Sequence, residues 1–103
     1  MRERNSIVDE KKEVVIKDGD HSHSCLLTDI SASGISVSSE HFIPTYKEIE
    51  VSMEIEGKKV AMKGSVRWSI DAGTSRDKKG KLGILITDPP SIFLDYVKIW
   101  EKK

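Results

Sequence analysis

Apolar and polar residues alternate along two central segments of the chain, residues 48–55 and 59–70. A period of two places the apolar side chains on one face of a β-strand and the polar side chains on the other. Glu56-Gly57, between the two segments, is typical of a short hairpin connection. Gly64 takes an inward position without a side chain, as at a barrel bend or bulge. The pattern therefore predicts a long, half-buried β-hairpin.

Four shorter segments predict further strands. Residues 13–17 are rich in β-branched side chains, and residues 81–86 place an apolar side chain at every second position. Residues 22–28 and 34–38 are strand-like runs on either side of a polar stretch. Turn-forming residues separate the segments, among them Asp18-Gly19-Asp20. Together with the central hairpin, these segments predict six antiparallel strands.

The C-terminal segment has the pattern of an α-helix. Pro89-Pro90 ends the last strand, and Ser91 is a candidate N-cap for a helix that runs to about Lys102. The apolar side chains of this segment recur at helical spacing: Phe93, Tyr96, Val97 and Trp100. We expect this face to pack on the barrel rather than to serve as a free partner-binding helix.

The fold class that follows is mainly all-β: a six-stranded antiparallel β-barrel with a C-terminal α-helix at about residues 91–102. Closure into a barrel removes the exposed edges that many short strands would otherwise leave. Residues 1–12 are polar and predict an N-terminal basic arm, and residues 13–103 form the single domain. Asp71 to Gly80 is polar and predicts a mobile loop.

The chain has many charged residues, but its net charge is zero, because 17 Lys and Arg balance 17 Asp and Glu. This balance argues against a general nucleic-acid binder, which would show a basic excess. The single cysteine, Cys25, excludes an internal disulfide and fits a reducing compartment. The chain has no long apolar run, and its first residues lack the apolar core of a signal peptide. We expect a cytoplasmic protein without membrane insertion.

One group of potential metal ligands lies at the start of the second predicted strand. His21, His23 and Cys25 follow each other at a period of two and so share one strand face. Such ligands could bind zinc or copper, but the sequence shows no fourth ligand. We therefore expect no metal site, with two solvated histidines and a cysteine that enters the barrel wall.

The stretch from Asp29 to Gly34 concentrates residues with special backbone chemistry between two strands. Asp29 and Ser31 can hydrogen-bond to nearby backbone N–H groups, as such residues do in tight turns. Gly34 can adopt a positive φ and also lets another group approach the backbone closely. Taken alone, the stretch predicts a hairpin turn.

The spacing Asp29-x-Ser31-x-x-Gly34 resembles the D/N-x-S-x-x-G signature of PilZ domains, small bacterial β-barrels that bind cyclic di-GMP. Val66-Arg67-Trp68 and Leu82-Gly83-Ile84-Leu85 fall where the family pattern expects the end of the central hairpin and the final strand. The resemblance covers nearly all of residues 4–102. It implies a PilZ-type barrel and a receptor that needs no further cofactor.

The N-terminal arm departs from the family pattern. PilZ domains carry R-x-x-x-R, two arginines four residues apart, whereas Arg2 and Arg4 are only two apart. If Arg4 takes the place of the second motif arginine, the first would fall just before Met1. Arg4 therefore matches the motif, and Arg2 is out of register with it.

The resemblance implies a cyclic di-GMP site at Arg4, Asp29, Ser31 and Gly34, with Arg2 and Ser33 as further candidates. Arginine pairs with phosphate through its planar fork and stacks on a purine through its face. A carboxylate at Asp29 can accept hydrogen bonds from the N1–H and N2–H₂ donors of guanine. Ligand binding would order the arm and change a surface that an unidentified protein partner recognises.

Two further interpretations remain open. A PilZ-like barrel with a broken arginine motif could bind no nucleotide and act as a protein-interaction module in motility or pilus control. An oligonucleotide-binding barrel is disfavoured, because aromatic residues are few and no basic groove is evident. The sequence shows no nucleophile–base pair, no paired acids and no phosphate loop, so we expect no enzyme activity.

Overall fold

The computed structural model describes residues 6–7, 12–40, 43–70 and 80–101. These ranges contain seven β-strands and one α-helix. In chain order they are β1 (Ser6–Ile7), β2 (Glu13–Asp18), β3 (His21–Ser31), β4 (Gly34–Ser39), β5 (Glu48–Ile55), β6 (Lys58–Ile70), β7 (Gly80–Thr87) and α1 (Ser91–Glu101).

Six of the strands close into an antiparallel barrel, as the sequence pattern predicts. The order around the barrel is β3-β2-β5-β6-β7-β4, and the pairing of β4 with β3 closes it. The long β3 strand makes closure possible, because its first half pairs with β2 and its second half with β4. The two-residue β1 strand adds to β3 beside this seam. It lies within the predicted arm and has no counterpart in the sequence pattern.

Strand ends differ from the prediction where backbone pairing extends beyond the apolar pattern. β3 continues to Ser31, three residues past its predicted end, because the hairpin pairs Ser31 with Gly34. Gly80, predicted as the last residue of a mobile loop, is the first residue of β7 and pairs with Ser39. The rest of that predicted loop, residues 71–79, lies outside the described residues. Glu56-Gly57 forms the predicted hairpin connection, and both residues have positive φ.

The inward side chains of all six barrel strands form one core. It contains the alternating apolar residues of the central hairpin, including Val51 and Val66, which are fully buried. The helix α1 buries Phe93, Val97 and Trp100 and contacts β1, β3 and β5. The expected packing of the helix on the barrel is therefore confirmed. No helix in the described part of the chain is long and apolar enough to cross a membrane.

The helix begins one residue earlier than an N-cap at Ser91 would require. The Leu94 N–H donates to the Pro90 carbonyl at 3.2 Å, so Pro90 accepts the first helical hydrogen bond. Ser91 is thus the first helical residue and not the N-cap, which corrects the prediction. The predicted end at Lys102 lies outside the described residues.

The alternation in β6 fails near its C-terminal end. Trp68 and Ile70 continue the inward pattern in the sequence, yet they are 43% and 45% exposed. The pairing of β6 with β7 shifts register between Val66 and Trp68. Such a bulge adds one residue to a strand and turns the following side chains towards the other face. The end of β6 therefore presents an aromatic side chain on the barrel surface.

Gly34 is needed for close approach and not for a left-handed backbone. The glycines with positive φ in the described ranges are Gly19 and Gly57. A Cβ atom on Gly34 would overlap with the backbone carbonyl oxygen of Ile84 in β7. The expectation of a positive φ at Gly34 is therefore wrong, and the expectation of a close backbone approach is confirmed.

Gly34→Ala should destabilise the barrel more than an alanine in a solvent-exposed turn. At Gly34 the new methyl group meets backbone atoms of β7, which can move only with the barrel. We expect a loss of about 3 kcal/mol, the upper end of the usual range for overpacking. Gly57→Ala is the control: its Cβ meets nothing within 4 Å, so only the positive φ costs free energy, about 1 kcal/mol. Urea unfolding would measure both, and equal losses would contradict this role for Gly34.

Because of Cys25, the free energy of unfolding of the domain should decrease at alkaline pH. Burial raises the pKa of the Cys25 thiol above its ordinary value, and a hydrogen bond with Ser39 offsets part of that rise. The folded state therefore favours the neutral thiol. The stabilisation that comes from the neutral thiol is fully present below the pKa of the unfolded thiol, about 8.5. It is lost as the pH rises through the folded pKa, and it amounts to about 1.4 kcal/mol for each pH unit between the two pKa values.

Urea unfolding of the wild type and Cys25→Ala below and above that pH tests the prediction. The stability advantage of the wild type over Cys25→Ala should shrink at the higher pH. An advantage that stays constant would show that the buried thiol ionises as readily in the folded state as in the unfolded state.

Candidate functional site

The turn between β3 and β4 is a two-residue connection of Ala32 and Ser33, closed by the pairing of Ser31 with Gly34. Ser31 is buried, its Oγ lies 3.3 Å from Ser33 Oγ, and it donates to the Gly34 carbonyl at 3.4 Å. The Ile86 N–H donates to the Ser33 carbonyl at 2.8 Å, which fastens the turn to β7. The Ser31 side chain thus works inside the turn, through a carbonyl and not through the N–H groups that the sequence suggested.

Asp29 lies in β3 and not in the turn. The pairing of β3 with β4 shifts register between Leu27 and Asp29, and this bulge precedes the turn by two residues. The side chain is half-buried, and its Oδ2 atom accepts a long hydrogen bond of 3.4 Å from Thr28 Oγ1. Thr28 Oγ1 also donates a hydrogen bond to the Ser36 carbonyl at 3.1 Å. Because bulges re-aim side chains, the irregularity explains how a strand residue can face a surface groove.

A shallow groove of about 180 Å³ runs between this hairpin and strands β6 and β7. It brings together three of the predicted site residues, Asp29, Ser33 and Gly34. Ser31, the fourth predicted residue of the hairpin, does not line it. The opposite wall comes from β6 and β7. The lining residues are Asp29, Ile30, Ser33, Gly34, Ile35, Ser36, Arg67, Trp68, Gly83, Ile84 and Leu85.

Trp68 forms the aromatic part of the opposite wall. Its pyrrole ring lies over Gly83, where a Cβ atom would overlap with three ring atoms. One part of the indole therefore packs on the strand, while the side chain remains partly exposed. In the sequence, Trp68 and Gly83 stand out only because they lie where the PilZ family pattern expects them. The bulge that turns Trp68 outwards results from pairing between distant strands, so no local signal could identify it as a groove residue.

Arg67 supplies a positive charge to the same wall. Its guanidinium carbon lies 5.2 Å from the centroid of the Tyr46 ring, within the range of a cation–π interaction. Tyr46 is itself 71% exposed and has a φ of 68°. Its backbone N–H donates to the Val66 carbonyl, so the loop before β5 is tied to β6 beside Arg67. The groove is thus lined by a cation and an aromatic ring as well as by Asp29.

The N-terminal arm reaches the same hairpin from the other side. In β1, Ser6 pairs with Ile30 and Ile7 pairs with Asp29. These two hairpin residues are therefore paired with both β1 and β4. The predicted site residues Arg2 and Arg4 lie outside the described residues.

Two larger grooves contain none of the predicted site residues that the structure describes. One, of about 470 Å³, is lined in part by Lys17, Glu50 and Lys63, which are neighbours across three strands. The other, of about 450 Å³, likewise mixes Lys12 and Lys59 with two glutamates. Within the described part of the chain, neither groove is lined by an aromatic side chain on which a base could stack.

The histidines of β3 do not form a metal cluster with Cys25. The rings of His21 and His23 are stacked with centroids 6.4 Å apart, whereas Cys25 is buried. In the described ranges, no group of three or more His, Cys, Asp or Glu side chains could hold a metal ion. The Cys25 thiol instead donates a weak hydrogen bond to the His23 carbonyl, with 3.9 Å between sulfur and oxygen.

Proteins from three bacteria are among the solved structures that share this fold. The Bacillus subtilis inhibitor of motility, MotI/DgrA, is 16% identical with a TM-score of 0.72; the match covers all of this chain and 53% of that one. The Borreliella burgdorferi PlzA protein in complex with c-di-GMP is 20% identical with a TM-score of 0.66, over 94% of this chain and 40% of that one. This chain thus spans about half the length of those two proteins or less.

The PilZ domain of YcgR from Escherichia coli, solved with c-di-GMP, is 13% identical with a TM-score of 0.66. That match covers 99% of this chain and 89% of the solved one. No curated protein matches the sequence. A family model described as the PilZ domain matches residues 2–92. The chain therefore belongs to the PilZ domain family.

Proposed function

We propose that this chain is a cyclic di-GMP receptor domain and that the ligand binds in the groove between the β3–β4 hairpin and strands β6 and β7. The observation that carries the proposal is the convergence of Asp29, Ser33 and Gly34 on one groove with a cation and an exposed aromatic ring. Two PilZ-fold neighbours, PlzA and YcgR, were solved with this ligand. The matched fold and the chemistry of the groove support the same ligand here.

The chemistry of the hairpin suits the guanine edge. The Asp29 carboxylate can accept two hydrogen bonds from the N1–H and N2–H₂ donors, a charge-assisted arrangement that is stronger than a neutral pair. The Ser33 hydroxyl can donate to a phosphate or guanine oxygen. Gly34 contributes indirectly, because the missing side chain lets the Ile84 backbone of β7 pack against β4 and so fixes the hairpin wall of the groove. Ser31, also a predicted ligand residue, contributes here by holding the turn that positions Ser33.

The size of the groove implies that it holds only part of the ligand. Its volume of about 180 Å³ is below the roughly 300–1,000 Å³ of pockets that enclose a drug-sized molecule. The remaining contacts must come from another segment, and the arm is the segment that β1 brings to this hairpin. Arg4 precedes Ser6 by two residues, a span of at most about 7 Å. We assign Arg4 to phosphate and guanine, and Arg2 to the outer field of the phosphates.

Signalling would follow from ordering of the arm. Cyclic di-GMP would hold Arg2 and Arg4, which precede β1, against the hairpin, and the changed surface would be recognised by a protein partner. The site holds a ligand and performs no covalent chemistry, in keeping with PilZ domains as receptor or adaptor domains and not enzymes. We place this activity in the cytoplasm, a reducing compartment that fits the single free thiol of Cys25.

The incomplete arginine motif favours a second candidate function. With Arg2 and Arg4 only two residues apart, a PilZ barrel could be unable to bind nucleotide and act only through protein interactions. The neighbour MotI is named as an inhibitor of motility, which agrees with a role of this kind in motility or pilus control.

Titration calorimetry separates the two functions. Cyclic di-GMP is titrated into the wild-type domain at high micromolar concentration, with GTP and cyclic GMP as controls. The receptor function predicts saturable heat with cyclic di-GMP alone. A flat trace with cyclic di-GMP would support the interaction module, and equal heats with all three nucleotides would contradict a specific site.

Arg4→Ala should nearly abolish binding and leave the fold intact. Loss of a hydrogen bond to a charged group costs roughly 1.5–3 kcal/mol, or about ten- to more than a hundredfold in affinity. Arg2→Ala should cost less, because Arg2 is out of register with the motif. Arg4→Lys should recover little, since lysine keeps the charge but lacks the planar fork.

The Arg4 series is measured by calorimetry, with circular dichroism to confirm the barrel. Equal losses for Arg2→Ala and Arg4→Ala would show that the proposed register of the arm is wrong. Unchanged affinity for Arg4→Ala would remove the arm from the site.

Asp29→Ala should weaken binding with little effect on stability. The hydrogen bond that Asp29 accepts from Thr28 is long, at 3.4 Å, so we expect about 1 kcal/mol or less from its loss. Asp20→Ala is the matched control, because Asp20 is an exposed acid in the turn before β3. Calorimetry and thermal unfolding are compared for both variants. A large drop in melting temperature for Asp29→Ala would assign the carboxylate to the fold.

A further inference from the structure

We infer that Tyr46, Arg67 and Trp68 form a second nucleotide-binding subsite, here called the β6 subsite, on the wall of the groove opposite Asp29. In this subsite the edge of Arg67 binds a phosphate of the ligand, and the exposed part of Trp68 stacks on a purine base. Arg67 thereby adds a cation on a barrel strand to the arginines of the arm. The inference rests on the proposed function and extends it to residues that the motif does not include.

The position of Arg67 favours phosphate binding through the edge of its guanidinium group. One face of the group is already taken by the Tyr46 ring, with 5.2 Å between the guanidinium carbon and the ring centroid. A stacked guanidinium keeps its N–H donors free in the plane, where they can pair with two phosphate oxygens. No carboxylate within the described ranges forms an ion pair with Arg67. The Arg67 side chain is exposed and lines the groove, where an anion could reach it.

Tyr46 is a positioning residue in this arrangement. At a φ of 68°, Tyr46 has a left-handed backbone conformation that is strained for a residue other than glycine. The hydrogen bond from the Tyr46 N–H to the Val66 carbonyl, and that from the Val66 N–H to the Lys47 carbonyl, hold this backbone in place. The Tyr46 backbone is consequently fixed beside β6, although the residue is 71% exposed. An exposed ring held by a strained backbone points to a role outside the core.

Trp68 is suited to stack on a base because of how the bulge presents it. The register shift after Val66 turns the indole outwards, and Gly83 provides a flat floor beneath it. The side chain is left 43% exposed and lines the groove together with Arg67 and Asp29. Stacking of a base on an aromatic ring is sequence-tolerant, so Asp29 would select guanine while Trp68 adds affinity.

Charge balance supports the same assignment. Cyclic di-GMP carries two phosphates, and the hairpin offers a carboxylate, which repels them. Arg67 is the cation that the described groove residues contribute. Its place on a barrel strand means that this part of the site is formed before the arm is ordered.

The test compares variants of the β6 subsite with a matched charge control. Arg67→Ala removes both the planar guanidinium group and its charge, whereas Arg67→Lys removes the planar group and keeps the charge. Lys63→Ala removes an exposed cation from the same strand outside this groove. Calorimetry with cyclic di-GMP is performed at two salt concentrations. We expect Arg67→Ala to lose about ten- to a hundredfold in affinity and to show a weaker salt dependence. Arg67→Lys should recover part of the affinity, and Lys63→Ala should bind like the wild type.

Fluorescence gives an independent readout for Trp68. Cyclic di-GMP should quench the tryptophan emission of the wild type, and Trp68→Phe should abolish most of that quenching while Trp100 still emits. Tyr46→Leu should weaken binding less than Arg67→Ala, because it releases the guanidinium without removing it. Thermal unfolding of each variant confirms that the barrel is intact.

The outcomes separate the subsite from the proposed function. If the wild type binds, Arg4→Ala loses binding, and Arg67→Ala binds like the wild type, the β6 subsite is wrong and the receptor function stands. Equal losses for Lys63→Ala and Arg67→Ala would also overturn the subsite, since only general charge would then matter. If the wild type binds no cyclic di-GMP, both the receptor function and the subsite are wrong.

Discussion

The barrel depends on the contact between Gly34 in β4 and the backbone of β7. β4 is the strand that joins the end of the sheet to β3, so the barrel can close only if β4 and β7 come together. At Gly34 the Ile84 carbonyl occupies the space of a side chain, and one residue earlier the Ser33 carbonyl accepts from the Ile86 N–H. The β3–β4 hairpin is therefore fixed against β7. That restraint places Asp29 and Ser33 across a groove from β6.

The sequence predicts the barrel well because its strands are half-buried. A buried face and an exposed face impose a period of two, and this period survives in the central hairpin and most other strands. The pattern fails where pairing and not burial sets the geometry. The exposure of Trp68 follows from a bulge between β6 and β7, and β1 is too short to show a period. Similarly, Gly34 carries a sequence signature of a turn, whereas its role depends on a strand fifty residues away.

The site was predictable only in part, for the same reason. Asp29, Ser33 and Gly34 lie together in the sequence, and the hairpin keeps them together in the groove. Ser31 belongs to the same motif, but it is buried and serves the turn. Arg67 and Trp68 join the groove through strand pairing between distant segments. No local feature of the sequence distinguishes them from other residues of an amphipathic strand.

The two walls of the groove suggest a division of labour in ligand recognition. The hairpin offers hydrogen-bond acceptors and a small residue, which suit the edge of a guanine. The β6 wall offers a cation and an aromatic ring, which suit phosphate and the face of a base. Because both walls belong to the closed barrel, they are present without ligand. The N-terminal arm then completes the site from the β1 side, which would link occupancy to the surface that a partner meets.

The most direct test of this account is an amide NMR titration of the full chain with cyclic di-GMP. The account predicts that the largest shift changes fall on both walls of the small groove, at residues 29–36, at Arg67 and Trp68, and at residues 83–85. It predicts small changes around the larger groove that Lys17, Glu50 and Lys63 line. Changes concentrated in that larger groove, or a spectrum that cyclic di-GMP leaves unchanged, would contradict it.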